Sequence, residues 1–284
     1  MKQDVVLVGA LDFPNIPQAG DTVKNRYLLD FFKTKFRHVG YIDTMKWRRN
    51  PFVVLKILYM LFFRSVDHVV ISTSNATAYK LISFINRFCF SKDFYYFMIG
   101  GNMPLLIKNG AYKAAPFRCL KKIVVEADGV ARFWSEIGFD NTIRAYNFKP
   151  FSYIPFEPFE GKGKVKFIFL SRLTERKGVF HIMESVRYLN EAGFADAFEV
   201  DFYGTIHDDI RLRFLNEVEH LSNVSYKGFL NLKEEANYSI LSEYDAMLFP
   251  TMYETEGFPG VIADAAIAGL PVIAADWNYA EELI

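Results

Sequence analysis

Short apolar runs of strand length recur along the chain, and each leads through a polar or glycine-rich turn into a longer segment of helical periodicity. In the first half, strands are predicted at 5–11, 39–43, 68–72, 94–99, 121–126 and 144–150, and helices at 22–35, 51–64, 75–88 and 130–137. The strand runs are too short for helices and are rich in β-branched and aromatic residues. Alternating strands and helices predict a largely parallel sheet covered by helices.

A second alternating pattern begins at Lys164, after a segment (151–160) whose prolines indicate a stiffened linker. Its strands are predicted at 165–170, 199–204, 224–230, 245–250 and 270–274, and its helices at 180–189 and 261–268. A chain of 284 residues has room for two domains. We therefore predict an α/β protein of two Rossmann-like lobes, comprising residues 1–155 and 156–284.

The formal net charge of zero conceals a division between the two halves. Residues 1–150 hold 22 Lys and Arg against 11 Asp and Glu, and residues 151–284 hold 11 against 22. The cations of the first half are scattered, so no nucleic-acid partner is predicted. They favour an anionic membrane surface or a phosphate-bearing acceptor, and attraction between the two lobes explains the pattern equally well.

Targeting and redox signals are few. Cys89 and Cys119 do not have a Cys-x-x-Cys spacing, so neither a disulfide framework nor a zinc site is predicted, and a reducing cytosol is expected. The first apolar run is too short for a signal peptide. The run 51–64 is interrupted by Lys56 and is shorter than the roughly 20 residues that span a bilayer. It favours a helix buried on the sheet over an amphipathic helix in the lipid headgroup region.

The stretch 249–274 is the most informative part of the chain. Pro259 suits the first turn of a helix and Gly269 the position just past its end, so a short alanine-rich helix is predicted between them. Its free N–H groups favour an anion, yet Glu256 stands before the helix and Asp264 within it. A nucleotide sugar matches both features, because a diphosphate separates two diols that carboxylates can bind.

This stretch resembles the E-x7-E signature of the retaining glycosyltransferases of family 4, which have the two-lobed GT-B fold with a cleft between the lobes. The resemblance implies that Glu256 contacts the transferred sugar and Asp264 the ribose, although the family more often has Glu at the second position. Gly257 and Phe258, in the same run, are assigned to substrate binding. The alternative is an acidic loop before a packed helix. Family members continue further, so the second lobe is expected to be incomplete.

Two cations follow the strand predicted at 165–170. Arg172 and Lys177 stand on a loop that leads into a helix, where fixed cations beside free N–H groups can hold a diphosphate and stabilise its charge without a metal. The resemblance implies the same leaving-group role, because the family has an Arg and a Lys-Gly pair here. A solvated basic turn is the alternative.

The resemblance also assigns four glycines to substrate binding. Gly204 and Gly228 end strands whose turns line the nucleobase pocket in the family, Gly101 lies on the acceptor side of the cleft, and Gly20 lies in the loop nearest the donor diphosphate. From the residues alone, Gly20 is equally a turn glycine. Glu126 follows its strand directly and is expected either at the cleft or, more commonly, in a surface turn.

These features imply a retaining, hexosyltransferase-type enzyme that moves a sugar from a nucleotide-sugar donor to a glycan or lipid-linked acceptor, in the cytoplasm and in surface polysaccharide biosynthesis. Neither a cofactor nor a metal is expected, and the basic N-terminal lobe suggests peripheral membrane contact. The alternatives are a non-catalytic nucleotide-sugar-binding partner, a nucleotide-sugar epimerase of similar fold and, more remotely, a membrane-surface adaptor that uses residues 46–64.

Overall fold

The chain forms two compact units, Met1–Lys149 (unit 1) and Pro150–Ile284 (unit 2). The computed structural model describes residues 4–15, 20–45, 47–64, 66–88, 90–151, 163–253, 256–277 and 279–284. The lobe boundary predicted between residues 155 and 156 lies outside the described residues, so its position stays a prediction.

Unit 1 is built on a six-stranded parallel sheet in the order β2-β1-β3-β4-β5-β6. Its elements are, in chain order, β1 (Asp4–Gly9), α1 (Gly20–Lys35), β2 (His38–Asp43), α2 (Pro51–Phe62), β3 (His68–Ser72), α3 (Asn75–Ile85), β4 (Asp93–Phe97), α4 (Met103–Lys108), a 3₁₀ turn (Ala115–Cys119), β5 (Lys122–Val125), α5 (Asp128–Glu136) and β6 (Thr142–Arg144). Strands β1 and β3 are buried along nearly their whole length, as central strands of a parallel sheet covered on both faces are.

Unit 2 is built on a five-stranded parallel sheet in the order β11-β10-β7-β8-β9. Its elements are β7 (Val165–Leu170), a 3₁₀ turn (Glu175–Lys177), α6 (Val179–Glu191), β8 (Phe198–Tyr203), α7 (Arg211–His220), β9 (Val224–Gly228), a 3₁₀ turn (Glu235–Asn237), α8 (Tyr238–Leu241), β10 (Ala246–Phe249), α9 (Gly260–Ala268), β11 (Val272–Ala274) and α10 (Ala280–Leu283).

Strand β7 supplies side chains to two hydrophobic clusters in unit 2. Phe169 packs in a cluster with α6, β8 and α7, whereas Ile168 and Leu170 pack in a second cluster with α8, β10 and α9. Because successive side chains of a strand point to opposite faces of its sheet, one strand can serve both clusters. The sheet of unit 2 therefore has a hydrophobic core on each face.

Most of the predicted elements are present, with three differences. The strand predicted at 144–150 is instead β6, which ends at Arg144. The next residue, Ala145, donates its N–H to the carbonyl oxygen of Val125 at 2.8 Å, and Val125 is the last residue of β5. Four helices were not predicted: α4, α8 and α10 are only four to six residues long, and α7 has Phe214 as its only fully buried side chain. Helix α2 buries one face and exposes the other, so the prediction of a buried helix is correct for only half of its surface.

Within the sheet, β8 is the neighbour of β7 on one side and β10 is its neighbour on the other. Between β7 and β10 the strand order thus changes direction. In open α/β sheets, ligands bind outside the carboxyl ends of the strands at such a switch point. The loops after β7 and β10 are therefore where a ligand site of unit 2 is expected. No helix of the described residues is long and apolar enough to cross a membrane.

Candidate functional site

The loops that follow β7 and β10 are in close backbone contact. Gly178 has a positive φ of 77°, and a Cβ atom on it would lie 2.0 Å from the carbonyl oxygen of Pro250. The N–H of Met252 donates to the carbonyl of Arg176 at 2.8 Å. Only glycine combines this backbone conformation with so close an approach. The contact fixes the position of the residues that follow each strand.

Lys177 and Glu256 form an ion pair across these two loops. Lys177 Nζ donates to Glu256 Oε2, and the side chains are 13% and 14% exposed respectively. The same oxygen accepts a hydrogen bond from Thr251 Oγ1 at 3.3 Å, and the ammonium lies 5.4 Å from the ring centre of Phe249 and 5.9 Å from that of Tyr253. The pair is largely desolvated, yet a ligand can still reach both charges.

Arg172 lies two residues past β7, on the same loop as Lys177. Its side chain is exposed and makes no hydrogen bond or ion pair with any residue that the structure describes. A guanidinium without a partner keeps its full set of donors for an anion. The loop therefore offers one cation that no described residue neutralises, beside one that is held in place.

The local backbone conformation explains why glycines stand at the ends of β8 and β9. Gly204 has a φ of 140°, and an added Cβ would lie 1.7 Å from the carbonyl oxygen of Ser171, so the loop after β7 lies directly against it. Its N–H donates to Gly228 O at 2.8 Å. Gly228 has a φ of 83°, but a Cβ there would meet no described atom within 4 Å. That these turns line a nucleobase pocket stays a prediction.

Helix α9 ends as predicted, because Gly269 adopts the left-handed conformation just past its last turn, while Pro259 is its N-cap residue rather than part of its first turn. Asp264 is only 3% exposed and accepts a hydrogen bond from Tyr238 Oη. Gly257 is buried, and Phe258 packs against the hydrophobic cluster of α8 and α9. The structure brings Glu256 to Lys177 and holds Asp264 in the core, and the ribose role of Asp264 stays a prediction.

The predicted site residues of unit 1 have different surroundings. Gly20 is the exposed first residue of α1, and a Cβ atom there would meet no described atom within 4 Å. Gly101 is buried in the turn after β4. Glu126 is buried in an ion pair with Lys24, so its expected place in a surface turn is wrong.

Four further residues of the site were not singled out from the sequence. Thr251 hydrogen-bonds Glu256, the rings of Phe249 and Tyr253 face the ammonium of Lys177, and Gly178 permits the loop contact. Three of them lie in the run that precedes Glu256, so their closeness in sequence was a usable signal. No three His, Cys, Asp or Glu side chains of the described residues are placed to hold a metal ion.

Comparison with known families gives a match for residues 164–284, to the family described as "Glycosyl transferases group 1". A relative at the sequence level is the amylovoran biosynthesis glycosyltransferase AmsK of Erwinia amylovora, which is 27% identical over 125 residues. The aligned part covers 42% of this chain, and the chain spans 30% of the length of this curated relative.

Two solved structures resemble the whole chain. The lipopolysaccharide outer core galactosyltransferase WaaB in its apo form has a TM-score of 0.64 and 14% identity, and the match covers 99% of this chain and 83% of WaaB. HepE of Anabaena, solved in complex with UDP and glucose, has a TM-score of 0.63 and 14% identity, with the same coverages. These likenesses confirm the predicted fold class, two Rossmann-like lobes of the GT-B type.

Proposed function

We propose that the protein is a group 1 glycosyltransferase that transfers a sugar from a nucleotide-sugar donor to a glycan or lipid-linked acceptor with retention of anomeric configuration. The observation that carries this proposal is the Lys177–Glu256 ion pair at the switch point of unit 2, with the uncommitted Arg172 on the same loop. A donor presents an anionic diphosphate next to a polyhydroxylated sugar. The site presents cations next to a carboxylate.

In the proposed complex, Arg172 and Lys177 bind the diphosphate, and the carboxylate of Glu256 accepts hydrogen bonds from hydroxyls of the transferred sugar. Contact with Lys177 and Thr251 holds this carboxylate in position before the donor arrives. Asp264 is assigned to the ribose. Gly257 and Phe258 support the sugar end of the site, and the turns at Gly204 and Gly228 receive the base.

In the proposed reaction, the bond between the anomeric carbon and the diphosphate oxygen breaks as the acceptor oxygen attacks from the same face. The acceptor proton passes to the departing diphosphate oxygen, and the products are the glycoside and the nucleoside diphosphate. The cations stabilise the charge that develops on the leaving group, a contribution that is large when the groups are fixed in advance. The proposed reaction uses neither a protein nucleophile nor a metal ion.

The relatives suggest which substrates to test first. HepE was solved with UDP and glucose, and AmsK is named for amylovoran biosynthesis. The family match, which covers most of unit 2, supports the transfer reaction. We therefore propose uridine donors and an acceptor from surface polysaccharide or lipopolysaccharide assembly, and we place Gly20 and Gly101 of unit 1 near the donor diphosphate and the acceptor respectively.

Donor binding is tested by thermal unfolding of the full chain with UDP-, GDP- and ADP-sugars, because a ligand that binds the folded state alone raises the melting temperature. We expect a shift for one donor, which is lost in Glu256→Gln. The matched control is Glu243→Gln, which removes an exposed carboxylate outside the site and should retain the shift. A shift that survives Glu256→Gln would contradict the assigned site.

Turnover is tested by following the anomeric proton of the product by NMR with oligosaccharide and lipid-linked acceptors, in buffer with and without EDTA. We expect a product of the donor's own anomeric configuration, formed at the same rate with EDTA. An inverted product, or loss of activity with EDTA, would contradict the mechanism. Donor binding without turnover would indicate a binding partner, and donor conversion without acceptor would indicate an epimerase.

A further inference from the structure

Helix α2 carries an exposed apolar face. Val53, Met60 and Leu61 are buried, whereas the opposite face exposes four large side chains at helical spacing: Phe52, Leu55, Tyr59 and Phe63. Leu55 is 57% exposed and Phe63 78% exposed, and the rings of Tyr59 and Phe63 stack with their centres 6.0 Å apart. Contiguous apolar surface of this kind marks an interaction site.

A groove of about 420 Å³ continues this face toward the sheet. It lies between α2 and β2, the edge strand of unit 1. Leu55 and Tyr59 line it from the helix and Tyr41 from the strand. The ring of Phe13, which is itself exposed, lies 5.3 Å from that of Tyr41. The apolar surface thus spans the helix, the groove and the edge strand.

The charged residues of α2 and of the segments that flank it, residues 44–66, are all cations. Residues 44–66 contain no Asp or Glu. Four exposed cations, Arg48, Arg49, Lys56 and Arg64, make no ion pair with any part of the chain that the structure describes, and the last two line the groove. Two acids flank this segment in sequence, Asp43 and Asp67. Both accept hydrogen bonds from backbone N–H groups, Asp43 from Leu11, Phe13 and Met45, and Asp67 from Asp4.

We propose that the exposed face of α2, the adjoining groove and the four cations form a surface (the α2 surface) that docks on an anionic lipid bilayer. A helix of 12 residues is about 18 Å long and cannot span the hydrocarbon core. A helix with an aromatic apolar face and flanking cations lies in the interface between the lipid and the water, with its apolar side chains inserted below the headgroups. Lys and Arg then meet the lipid phosphates.

Charge complementarity favours a bilayer over a second copy of the chain. A symmetric dimer brings the same patch of both subunits together, which would set the cations of one α2 surface against those of the other with no acid of residues 44–66 between them. An anionic bilayer supplies both the apolar layer and the counter-charge. The proposal concerns unit 1 and does not depend on the function proposed for unit 2.

The test is flotation of the full chain with vesicles of pure phosphatidylcholine or of phosphatidylcholine mixed with phosphatidylglycerol, without donor or acceptor. We expect binding to the mixed vesicles that weakens as salt is raised. Leu55→Glu/Tyr59→Glu should lower the affinity by about tenfold or more, since it places two anions in the apolar face. Lys56→Gln/Arg64→Gln should lower it by about 30-fold and reduce its salt dependence.

Matched controls carry the same kinds of substitution elsewhere. Tyr188→Glu/Leu212→Glu changes two exposed apolar residues of α6 and α7, 72% and 86% exposed. Lys113→Gln/Arg118→Gln removes two cations that precede β5, at a distance from β2 in the sheet order. Both controls should bind as the unsubstituted chain does, and circular dichroism should show all variants folded.

Three outcomes would overturn the proposal. The first is equal loss of binding in the control and α2 variants, and the second is equal binding to both kinds of vesicle at all salt concentrations. The third is absence of binding to the mixed vesicles. If light scattering then shows a dimer that Leu55→Glu/Tyr59→Glu converts to a monomer, the α2 surface is a contact between copies of the chain.

Discussion

Replacing Gly178 by Ala tests whether the contact between the loops after β7 and β10 holds the site together. The new methyl group would lie 2.0 Å from the carbonyl oxygen of Pro250, far inside van der Waals contact. Because this atom belongs to the backbone, relief requires the two loops to separate. Lys177, the preceding residue, would then move away from Glu256. We expect loss of both stability and donor binding.

The magnitude can be separated into two parts with Gly193→Ala, outside the proposed site, as the control. Both glycines have a positive φ, 77° and 90°, but an added methyl at Gly193 meets no described atom within 4 Å. A left-handed conformation costs an L-residue about 1–2 kcal/mol. Forcing a methyl group into a packed site adds about 1–3 kcal/mol. Gly193→Ala should therefore cost about 1–2 kcal/mol in the free energy of unfolding, and Gly178→Ala about 2–5 kcal/mol.

The assay is thermal unfolding of both variants with and without the donor that stabilises the unsubstituted chain. Gly193→Ala should lower the melting temperature and keep the donor-induced shift, whereas Gly178→Ala should lower the temperature further and lose the shift. Equal melting temperatures and equal donor shifts in the two variants would refute the reasoning, because the loop contact would then contribute nothing beyond backbone conformation.

Three further predictions concern single groups. Lys177→Met and Glu256→Gln should each lower the free energy of unfolding by about 2–4 kcal/mol, since each leaves a mostly buried charge without its partner. In chemical denaturation, the loss in the double variant should be about 1–3 kcal/mol smaller than the sum of the two single losses. Additive losses would mean that the pair is not formed. Arg172→Ala should change the free energy of unfolding by less than about 0.5 kcal/mol and lower turnover by about 100-fold or more; unchanged turnover would refute its leaving-group role. Burial raises the pKa of Cys119 to about 11. In a Cys89→Ser background its thiol should therefore react with iodoacetamide at pH 8 at least about tenfold slower than free cysteine, and faster as the pH rises toward 11. Alkylation at pH 8 as fast as that of free cysteine would contradict this.

The sequence predicted the sheets well because the central strands are buried on both faces. Strands β3 and β7 coincide with the predicted runs 68–72 and 165–170. Helix α7 was not predicted because only four of its ten residues are apolar, and Phe214 alone among them is fully buried. The apolar run of α2 could not show its exposed side, since exposure depends on which neighbours pack against a helix and not on its own residues.

The site was predicted in its charges but not in its geometry. Family resemblance selected Lys177 and Glu256, which stand 79 residues apart in sequence, and the parallel sheet places them at the same edge because β7 and β10 are neighbours. Their direct pairing could not be inferred, because it depends on the close contact between Gly178 and Pro250. Periodicity and motif spacing contain no information about such a contact.

A buried ion pair is weak evidence for a function, because burial alone gives it little net stability over an apolar pair. Among the residues that the structure describes, each unit has one: Lys24 with Glu126 in unit 1, whose side chains are 4% and 8% exposed, and Lys177 with Glu256 in unit 2, at 13% and 14%. The first pair is nearly sealed from solvent, as expected of a structural tie between α1 and the end of β5. The second can be reached, lies at the switch point of its sheet, and has beside it an exposed arginine that no described residue neutralises. Accessibility and an uncommitted neighbouring charge, rather than burial, make the pair of unit 2 a candidate for binding an anionic donor.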